Sequence, residues 1–233
     1  MILAKIKDIN LKFETEPSIF SPSFIDKGTL AMLSVVEFLS GDRVMDLGCG
    51  YGVVGILAAK LIGEENVVMC DISERAVEYA KINAALNGVP HINITLSDGY
   101  KNIAEGNFTL ILSNPPYHVD FSVPKNFIEV GFQKLAVGGK LIMVTKRRDW
   151  YKNKLTSVFG GVKVQEIDGY FVFVAEKRSQ ILKKKKKTAR NLSKKLQRKL
   201  LLKRKISLMP QSCLCLVCIQ KSVQYSSFPV ILR

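Results

Sequence analysis

Four short apolar runs in this chain each lead into polar residues, and that recurrence constrains the fold more than any single motif does. The runs lie at residues 43–47, 66–70, 92–96 and 108–112, with helix-length segments between most of them. Strands that alternate with helices predict a doubly wound α/β fold with a mostly parallel sheet. In such sheets, ligands bind at the carboxyl ends of the strands. The polar residues at those ends are Asp46 with the glycines after it, Asp71, Asp98 and Asn114.

The rest of the chain supplies the helices and the remaining strands. The sequence predicts an extended start before a helix over 28–40, and a terminal strand pair at 162–167 and 169–175. A fifth strand is expected at 140–145. The other helices are expected at 53–61, 74–87, 126–135 (closed by Gly138-Gly139) and 150–158.

The segment D-L-G-C-G-Y-G at residues 46–52 follows the first core strand and opens a helix. Its glycines permit a tight turn and a close approach of the backbone to a ligand. The spacing departs from the G-x-G-x-x-G of dinucleotide-binding loops, and no Walker lysine is present, so nucleotide hydrolysis is not expected. A plain strand-to-helix turn is the alternative interpretation of this loop.

Two further acids argue against a plain turn. Asp71 ends the next strand, where a carboxylate can accept hydrogen bonds from ribose hydroxyls. Asp98, at the end of the third strand, suits an adenine amine. Each acid also has a local interpretation, since Asp71 could cap the helix that begins near Ser73 and Asp98 could be a turn residue before Gly99. Neither local role explains why acids recur at successive strand ends.

The segment V-M-D-L-G-C-G-Y-G resembles the first motif of class I S-adenosylmethionine-dependent methyltransferases, and the likeness extends in order and spacing over residues 20–177. It implies a seven-stranded Rossmann-like methyltransferase fold. It also implies that residues 46–52 bind the methionine part of S-adenosylmethionine, Asp71 the ribose and Ser97-Asp98 the adenine. The implied cofactor-binding residues are Asp46, Gly48, Cys49, Gly50, Gly52, Asp71, Ile72, Ser97, Asp98, Gly99 and Asn114.

The stretch N-P-P-Y at residues 114–117 ends the fourth strand on two rigid prolines. The Asn114 side-chain oxygen and the Pro115 carbonyl can accept both hydrogens of a planar amine, which directs its lone pair toward a methyl donor. Pro115 and Pro116 hold that carbonyl rigidly, and Tyr117 offers a ring on which a base can stack. No strong general base is required. The alternative is a proline-rich turn after a strand.

Two stretches narrow the resemblance to the small-subunit ribosomal RNA guanine-N2 methyltransferases, the RsmC-like (MTS) group. F-S-P-S-F-I-D-K-G-T-L at residues 20–30 is similar to the segment ahead of their fold, and N-P-P-Y-H at 114–118 to their N-P-P-[FY]-H. The implied activity is methylation of guanine N2. The implied partner is ribosomal RNA or the small ribosomal subunit, with Phe20 and His118 near the substrate, although His118 could equally pack locally. Glutamine-N5 methylation of a release factor and adenine-N6 methylation of nucleic acid remain open.

Lys146, Arg147 and Arg148 follow the fifth strand, beside Trp150 and Tyr151. A basic cluster next to aromatic rings suits phosphate contact and base stacking. A solvated loop with Trp150 half-buried is the alternative interpretation.

The formal charge of +15 divides sharply along the chain. Residues 1–177 carry 19 Lys and Arg against 20 Asp and Glu, whereas residues 178–233 carry 16 basic residues and no acidic ones. We expect an N-terminal extension at 1–40, a methyltransferase domain at 41–177 and a basic tail at 178–233. The tail could bind RNA phosphates, lack order, or be an unselected product of a shifted reading frame.

Composition and cysteine usage exclude several classes. No apolar run is long enough to span a membrane, and no signal peptide is visible, so we expect a cytoplasmic protein with reduced cysteines. The three tail cysteines, at 213, 215 and 218, are one ligand short of a structural zinc site, and no metal is expected. The oligomeric state is left open.

Overall fold

A computed structural model of the chain describes residues 1–19, 21–116 and 120–180. The strands are β1 (Ile2–Ile6), β2 (Ile9–Phe13), β3 (Val44–Leu47), β4 (Val67–Asp71), β5 (Asn93–Leu96), β6 (Phe108–Ser113), β7 (Leu135–Thr145), β8 (Lys163–Ile167) and β9 (Tyr170–Glu176). The helices are α1 (Lys27–Val35), α2 (Val53–Ile62), α3 (Glu74–Leu86), α4 (Ser122–Lys134) and α5 (Arg148–Phe159).

The main sheet has seven strands in the order β5-β4-β3-β6-β7-β9-β8. The first five of these pair in parallel, and β9 and β8 add an antiparallel edge. The strand order reverses between β3 and β6, which is the position where doubly wound sheets bind their ligands. The prediction of a doubly wound, mostly parallel, seven-stranded α/β fold is confirmed.

Side chains alternate between two apolar cores, one on each face of the sheet. Val44 packs with helices α1, α2 and α3, whereas Met45 packs with α4 and α5. Both faces of the central strands are therefore buried, which explains why they appear in the sequence as continuous apolar runs. Among the described residues, no helix is long and apolar enough to cross a membrane.

The N-terminal segment, expected only to be extended, is the hairpin β1–β2. Asn83 of α3 and Asn87, the C-cap of that helix, bind the free edge of the hairpin. Asn87 accepts from the Lys12 amide (3.0 Å) and donates to the Lys12 carbonyl (2.7 Å). Asn83 makes the same pair of bonds with Glu14, at 2.7 and 2.9 Å. The two side chains stand in for a third strand and satisfy backbone groups that would otherwise be unpaired. A third bond of the Asn83 side chain, donated to the Tyr51 carbonyl (2.9 Å), ties this edge to the glycine loop.

Two predicted helices have an end that differs from the observed one by four or more residues. Helix α1 stops at Val35, five residues early, because Val36 is extended and the Asp42 carboxylate accepts from the Leu39 amide to form a turn. Helix α4 starts at Ser122, four residues before the predicted position, and includes Pro124. Proline is tolerated there because the amides of a first helical turn have no partner within the helix.

The predicted closure of α4 by Gly138-Gly139 is wrong. The helix ends at Lys134, and β7 starts at Leu135 and runs through both glycines. The pairing register of β6 with β7 shifts between Phe108 and Leu110, and Gly138 has a φ of +85°. The Lys177 backbone bonds to both glycines, so the chain after the sheet holds the irregular start of β7.

The boundaries between extension, domain and tail stay predictions. Residues before position 41 pack on the rest of the fold, with β2 against α2 and α3, and α1 against β7 and β9. The tail lies outside the described residues from position 181 onward, as do its cysteines.

Candidate active site

The carboxyl ends of β3, β4, β5 and β6 meet at one edge of the sheet, as parallel pairing requires. A cavity of about 300 Å³ opens there. It is lined by Leu47, Gly48, Gly50, Cys70, Asp71, Ile72, Ser97, Asp98, Gly99, Asn114, Pro115, Pro116, Val123 and Phe127. The structure therefore brings most of the predicted cofactor residues and three residues of the N-P-P-Y stretch together around one cavity.

A smaller recess of about 50 Å³ shares Gly48, Gly50 and Asn114 with this cavity. Its other lining residues are Ser21, Ile25, Asp26, Thr29, Asp46, Cys49, Tyr51, Val53 and Val54. Asp46 and Cys49 therefore face the recess, and Gly52 lines neither space. A Cβ at Gly52 would lie 2.8 Å from Ile56, so this glycine serves the turn into α2.

The glycine loop follows β3, and the end of β4 holds its backbone through three hydrogen bonds. The amides of Gly48 and Cys49 both donate to the Cys70 carbonyl at 2.9 Å, and the Gly50 amide donates to Asp71 Oδ2 at 2.9 Å. Gly48 and Gly50 have φ values of +78° and +54°, and a Cβ on either would meet no atom within 4 Å. These two residues thus present bare backbone to the open space.

Asp71 is not the cap of α3. Ser73 takes that position, and its hydroxyl accepts from the Ala76 amide. Asp71 Oδ1 accepts from the Ser73 amide at 2.9 Å, and Oδ2 accepts from Gly50. A carboxylate has about four acceptor positions, so these two bonds orient the group and leave acceptor capacity.

Asp46 is almost fully buried under the loop, and its Oδ2 accepts from the Gly55 amide at 2.9 Å. Burial raises the pKa of Asp46 to about 7, with a smaller contribution from the charge of Asp71. A cationic group in the recess would offset the free-energy cost of burying the ionised carboxylate. Burial also raises the pKa of the Cys49 thiol well above its usual range, which fits a small packing residue and not a nucleophile.

Ser97 and Asp98, which follow β5, have different surroundings. Ser97 is buried, donates to the Gly99 carbonyl (2.9 Å) and accepts from the Asn102 amide (3.0 Å), so it shapes the turn. Asp98 is half-exposed and forms an ion pair with Lys101 at 2.6 Å. Ile72 is 69% exposed at the rim, where it offers an apolar surface to a planar ring.

Asn114 is the most informative residue of the site. Its Nδ2 donates to Asp26 Oδ2 at 2.8 Å and to Thr29 Oγ1 at 3.1 Å. Its Oδ1 is buried, and among the described residues it is the one buried side-chain nitrogen or oxygen atom with no hydrogen-bond partner. An orphaned buried acceptor costs about 1–3 kcal/mol, so its presence here indicates a missing donor.

Sequence reasoning missed Asp26 and Thr29. Asp26 is the N-cap of α1, and aspartate is favoured at that position, but nothing in the sequence links it to a residue 88 positions later. Val123 and Phe127 close the cavity from α4. Val123 was missed because the helix was expected to begin at residue 126, and Phe127, inside the predicted helix, has no local signal that separates it from an ordinary core residue. Phe20, Tyr117 and His118 lie outside the described residues.

The basic cluster lies at the carboxyl end of β7, and all three of its side chains are exposed over aromatic rings. Lys146 lies 4.9 Å from the Tyr170 ring centre, Arg147 lies 5.1 Å from that of Phe121, and Arg148 lies 5.8 Å from that of Phe171. Trp150 is half-buried and stacks on Phe121 with ring centres 4.6 Å apart. Tyr151 is buried against Phe173, so the expected stacking role for Tyr151 is not available.

Within residues 1–19, 21–116 and 120–180, no group of three or more His, Cys, Asp or Glu side chains is placed to hold a metal ion.

Comparison with known proteins agrees with this geometry. Residues 10–175 match the family described as "Methyltransferase small domain". Ribosomal RNA small subunit methyltransferase C of Serratia proteamaculans is 31% identical over 70% of this chain and 47% of its own length. Uncharacterized protein YbxB of Bacillus subtilis is 28% identical over 74% of this chain and 89% of its own length.

A solved structure extends the likeness to the fold. The Thermus thermophilus 16S rRNA N2 G1207 methyltransferase (RsmC), in complex with AdoMet and guanosine, superposes with a TM-score of 0.69 at 27% identity. The match covers 76% of this chain and 50% of that one. The chain thus spans about half the length of the RsmC proteins it matches. It belongs to the methyltransferase small domain family, as an RsmC-like member of the class I S-adenosylmethionine-dependent methyltransferases.

Proposed function

We propose that this protein transfers a methyl group from S-adenosylmethionine to an exocyclic amine of an RNA base, with guanine N2 of small-subunit ribosomal RNA as its target. The observation that carries the proposal is the orphaned acceptor Asn114 Oδ1, at the end of β6 on the wall of the cavity. An amine that binds at this site donates the hydrogen bond that this oxygen lacks.

The residues present fit the cofactor. The bare backbone at Gly48 and Gly50 leaves room for a ligand at van der Waals distance. Asp46 offers a carboxylate to an ammonium group, Asp71 offers acceptors to ribose hydroxyls, and Ile72 with Phe127 offers apolar surface to a purine. A volume of about 300 Å³ falls at the lower end of the range for small-molecule sites.

The chemistry at Asn114 follows from the electronic state of a base amine. Its lone pair is delocalised into the ring, so the nitrogen is a weak nucleophile. The cofactor supplies a methyl group already activated on a sulfonium, which the amine attacks as the carbon–sulfur bond breaks. Asn114 Oδ1 and the Pro115 carbonyl accept the two amine hydrogens and turn the lone pair toward that methyl group. The nitrogen, cationic once methylated, then releases its proton to solvent, so the step requires no strong base.

Two features support an RNA substrate. The basic cluster stands at the carboxyl end of β7, the same edge of the sheet as Asn114, where it suits phosphate contacts. The relatives named ribosomal RNA small subunit methyltransferase C, and the T. thermophilus structure with guanosine, support guanine N2. Tyr117 and His118 remain predicted base contacts. A protein that acts on ribosomal subunits is expected in the cytoplasm.

The test is transfer of labelled methyl to three substrates in parallel: small ribosomal subunits with their RNA, a release factor, and DNA. Nucleoside digestion then identifies the labelled product. Label in N2-methylguanosine supports the proposal. Label in protein glutamine, or in N6-methyladenine, would assign the site to one of the two alternative amine classes.

A further inference from the structure

We propose that Asp26 and Thr29 are positioning residues, which lock the Asn114 amide so that its oxygen alone faces the substrate. This proposal rests on the proposed function, which it deepens by naming what makes the site selective for a donor amine. Both residues lie in α1 or at its cap, ahead of the first central strand, and they reach Asn114 across the carboxyl edge of the sheet.

Hydrogen-bond chemistry fixes the orientation of the amide. The Asp26 carboxylate is an acceptor only, so the atom of Asn114 that faces it at 2.8 Å is the nitrogen. Thr29 Oγ1 takes the second amide hydrogen at 3.1 Å. With both hydrogens engaged, Asn114 has no donor left for a substrate, and its oxygen is left as an unpaired acceptor. A ligand that presents an amine is accepted, and one that presents a carbonyl at this point leaves two acceptors facing each other.

Asp26 is itself held rigidly. The same Oδ2 atom that binds Asn114 accepts from the Thr29 amide at 2.9 Å, as the N-cap of α1. Between them, Gly28 allows a close approach, since a Cβ there would lie 2.8 Å from both Asp26 Oδ2 and the Tyr170 ring. Helix α1 packs on β7 and β9, so the carboxylate is fixed to the sheet that carries Asn114.

Besides orienting the Asn114 amide, the charged Asp26 side chain polarises it. A hydrogen bond from an amide N–H to a carboxylate shifts electron density toward the amide oxygen and makes it a better acceptor. Asn114 Oδ1 therefore binds the substrate amine more strongly when residue 26 carries a carboxylate than when it carries a neutral group.

The chain offers a matched set of variants. Asp26→Ser keeps an N-cap oxygen for α1 but is too short to reach Asn114. Asp26→Asn keeps an oxygen for both the cap and Asn114 but removes the charge. Thr29→Val keeps the shape and the capping amide but removes the second acceptor. A misdirected amide misplaces the amine, and such errors cost up to about 100-fold in rate.

We expect the turnover number, measured with saturating cofactor, to fall about 10- to 100-fold in Asp26→Ser and about 3- to 10-fold in Asp26→Asn and Thr29→Val. The melting temperature should change little, because the Asp26 variants keep a capping oxygen for α1 and Thr29→Val keeps the capped amide. If Asp26→Ser turns over like the parent protein, the positioning role is wrong. If activity falls only in proportion to lost folded protein, α1 is merely structural.

A second readout needs no methyl transfer. In the protein without cofactor, the Asn114 side-chain NH₂ should give two resolved, slowly exchanging ¹⁵N–¹H signals, assigned by their absence in Asn114→Ala. Asp26→Ser should shift them and speed their exchange at least tenfold, while Asp26→Asn preserves them. Unchanged signals in Asp26→Ser would overturn the proposal even in an active enzyme. Failure of the parent protein to methylate any amine would overturn the proposed function and leave these signals to decide the positioning.

Discussion

Replacing Gly50 by alanine should weaken cofactor binding at a modest cost in stability, and Gly88→Ala is its matched control. Both glycines have positive φ, +54° and +74°, and an added Cβ meets no atom within 4 Å at either position. Left-handed backbone costs a non-glycine residue about 1–2 kcal/mol, so both variants should melt about 2–8 °C lower. They differ only in where the methyl group points, since Gly50 lines the cavity and Gly88 follows α3.

The size of the effect on binding follows from overpacking. A methyl group forced into a fitted contact costs about 1–3 kcal/mol, which corresponds to about 5- to 150-fold in affinity. Isothermal titration with S-adenosylhomocysteine should therefore show that loss for Gly50→Ala and parental affinity for Gly88→Ala. Equal affinities in the two variants would refute the assignment of this loop as the cofactor cradle.

Three further predictions concern stability, pH and RNA. Asn83→Ala should lower the free energy of unfolding by about 3 kcal/mol or more, because it strips partners from three backbone groups; a urea midpoint close to that of the parent protein would contradict this. Affinity for the cofactor should rise from pH 5.5 to 7.5 and then level, because Asp46, with its pKa raised to about 7, must lose a proton to bind an ammonium group. Asp46→Asn should flatten this pH profile, and a pH-independent affinity in the parent protein would disprove the pairing of Asp46 with the ammonium group. Arg147→Ala should weaken RNA binding and reduce the slope of log K against log salt by about one unit, whereas an unchanged slope would place that guanidinium away from phosphate.

The sequence was enough to predict the sheet and its functional edge. Alternating apolar runs determine a parallel sheet, and parallel strands bring their carboxyl ends together, so Asp46, Asp71 and Asn114 had to be neighbours. The glycine loop was predictable for the same reason, because its backbone conformation depends on local residues.

What sequence reasoning missed depends on contacts distant in the chain. The pairing of β2 with Asn83 and Asn87 joins residues about 70 positions apart, and Asp26 meets Asn114 across 88 positions. No local pattern specifies such partners. The start of β7 was missed for a related reason, since the glycines that usually end a helix are here held in a strand by the Lys177 backbone.

The most direct test of the central claim is the turnover of Asn114→Ala on small-subunit ribosomal RNA, measured together with its affinity for S-adenosylhomocysteine. Loss of the orphaned acceptor should slow methyl transfer by a factor of about 100 or more, whereas cofactor affinity should fall far less, because the glycine loop, Asp46 and Asp71 are retained. Methyl transfer that survives in Asn114→Ala would show that this oxygen does not hold the substrate amine.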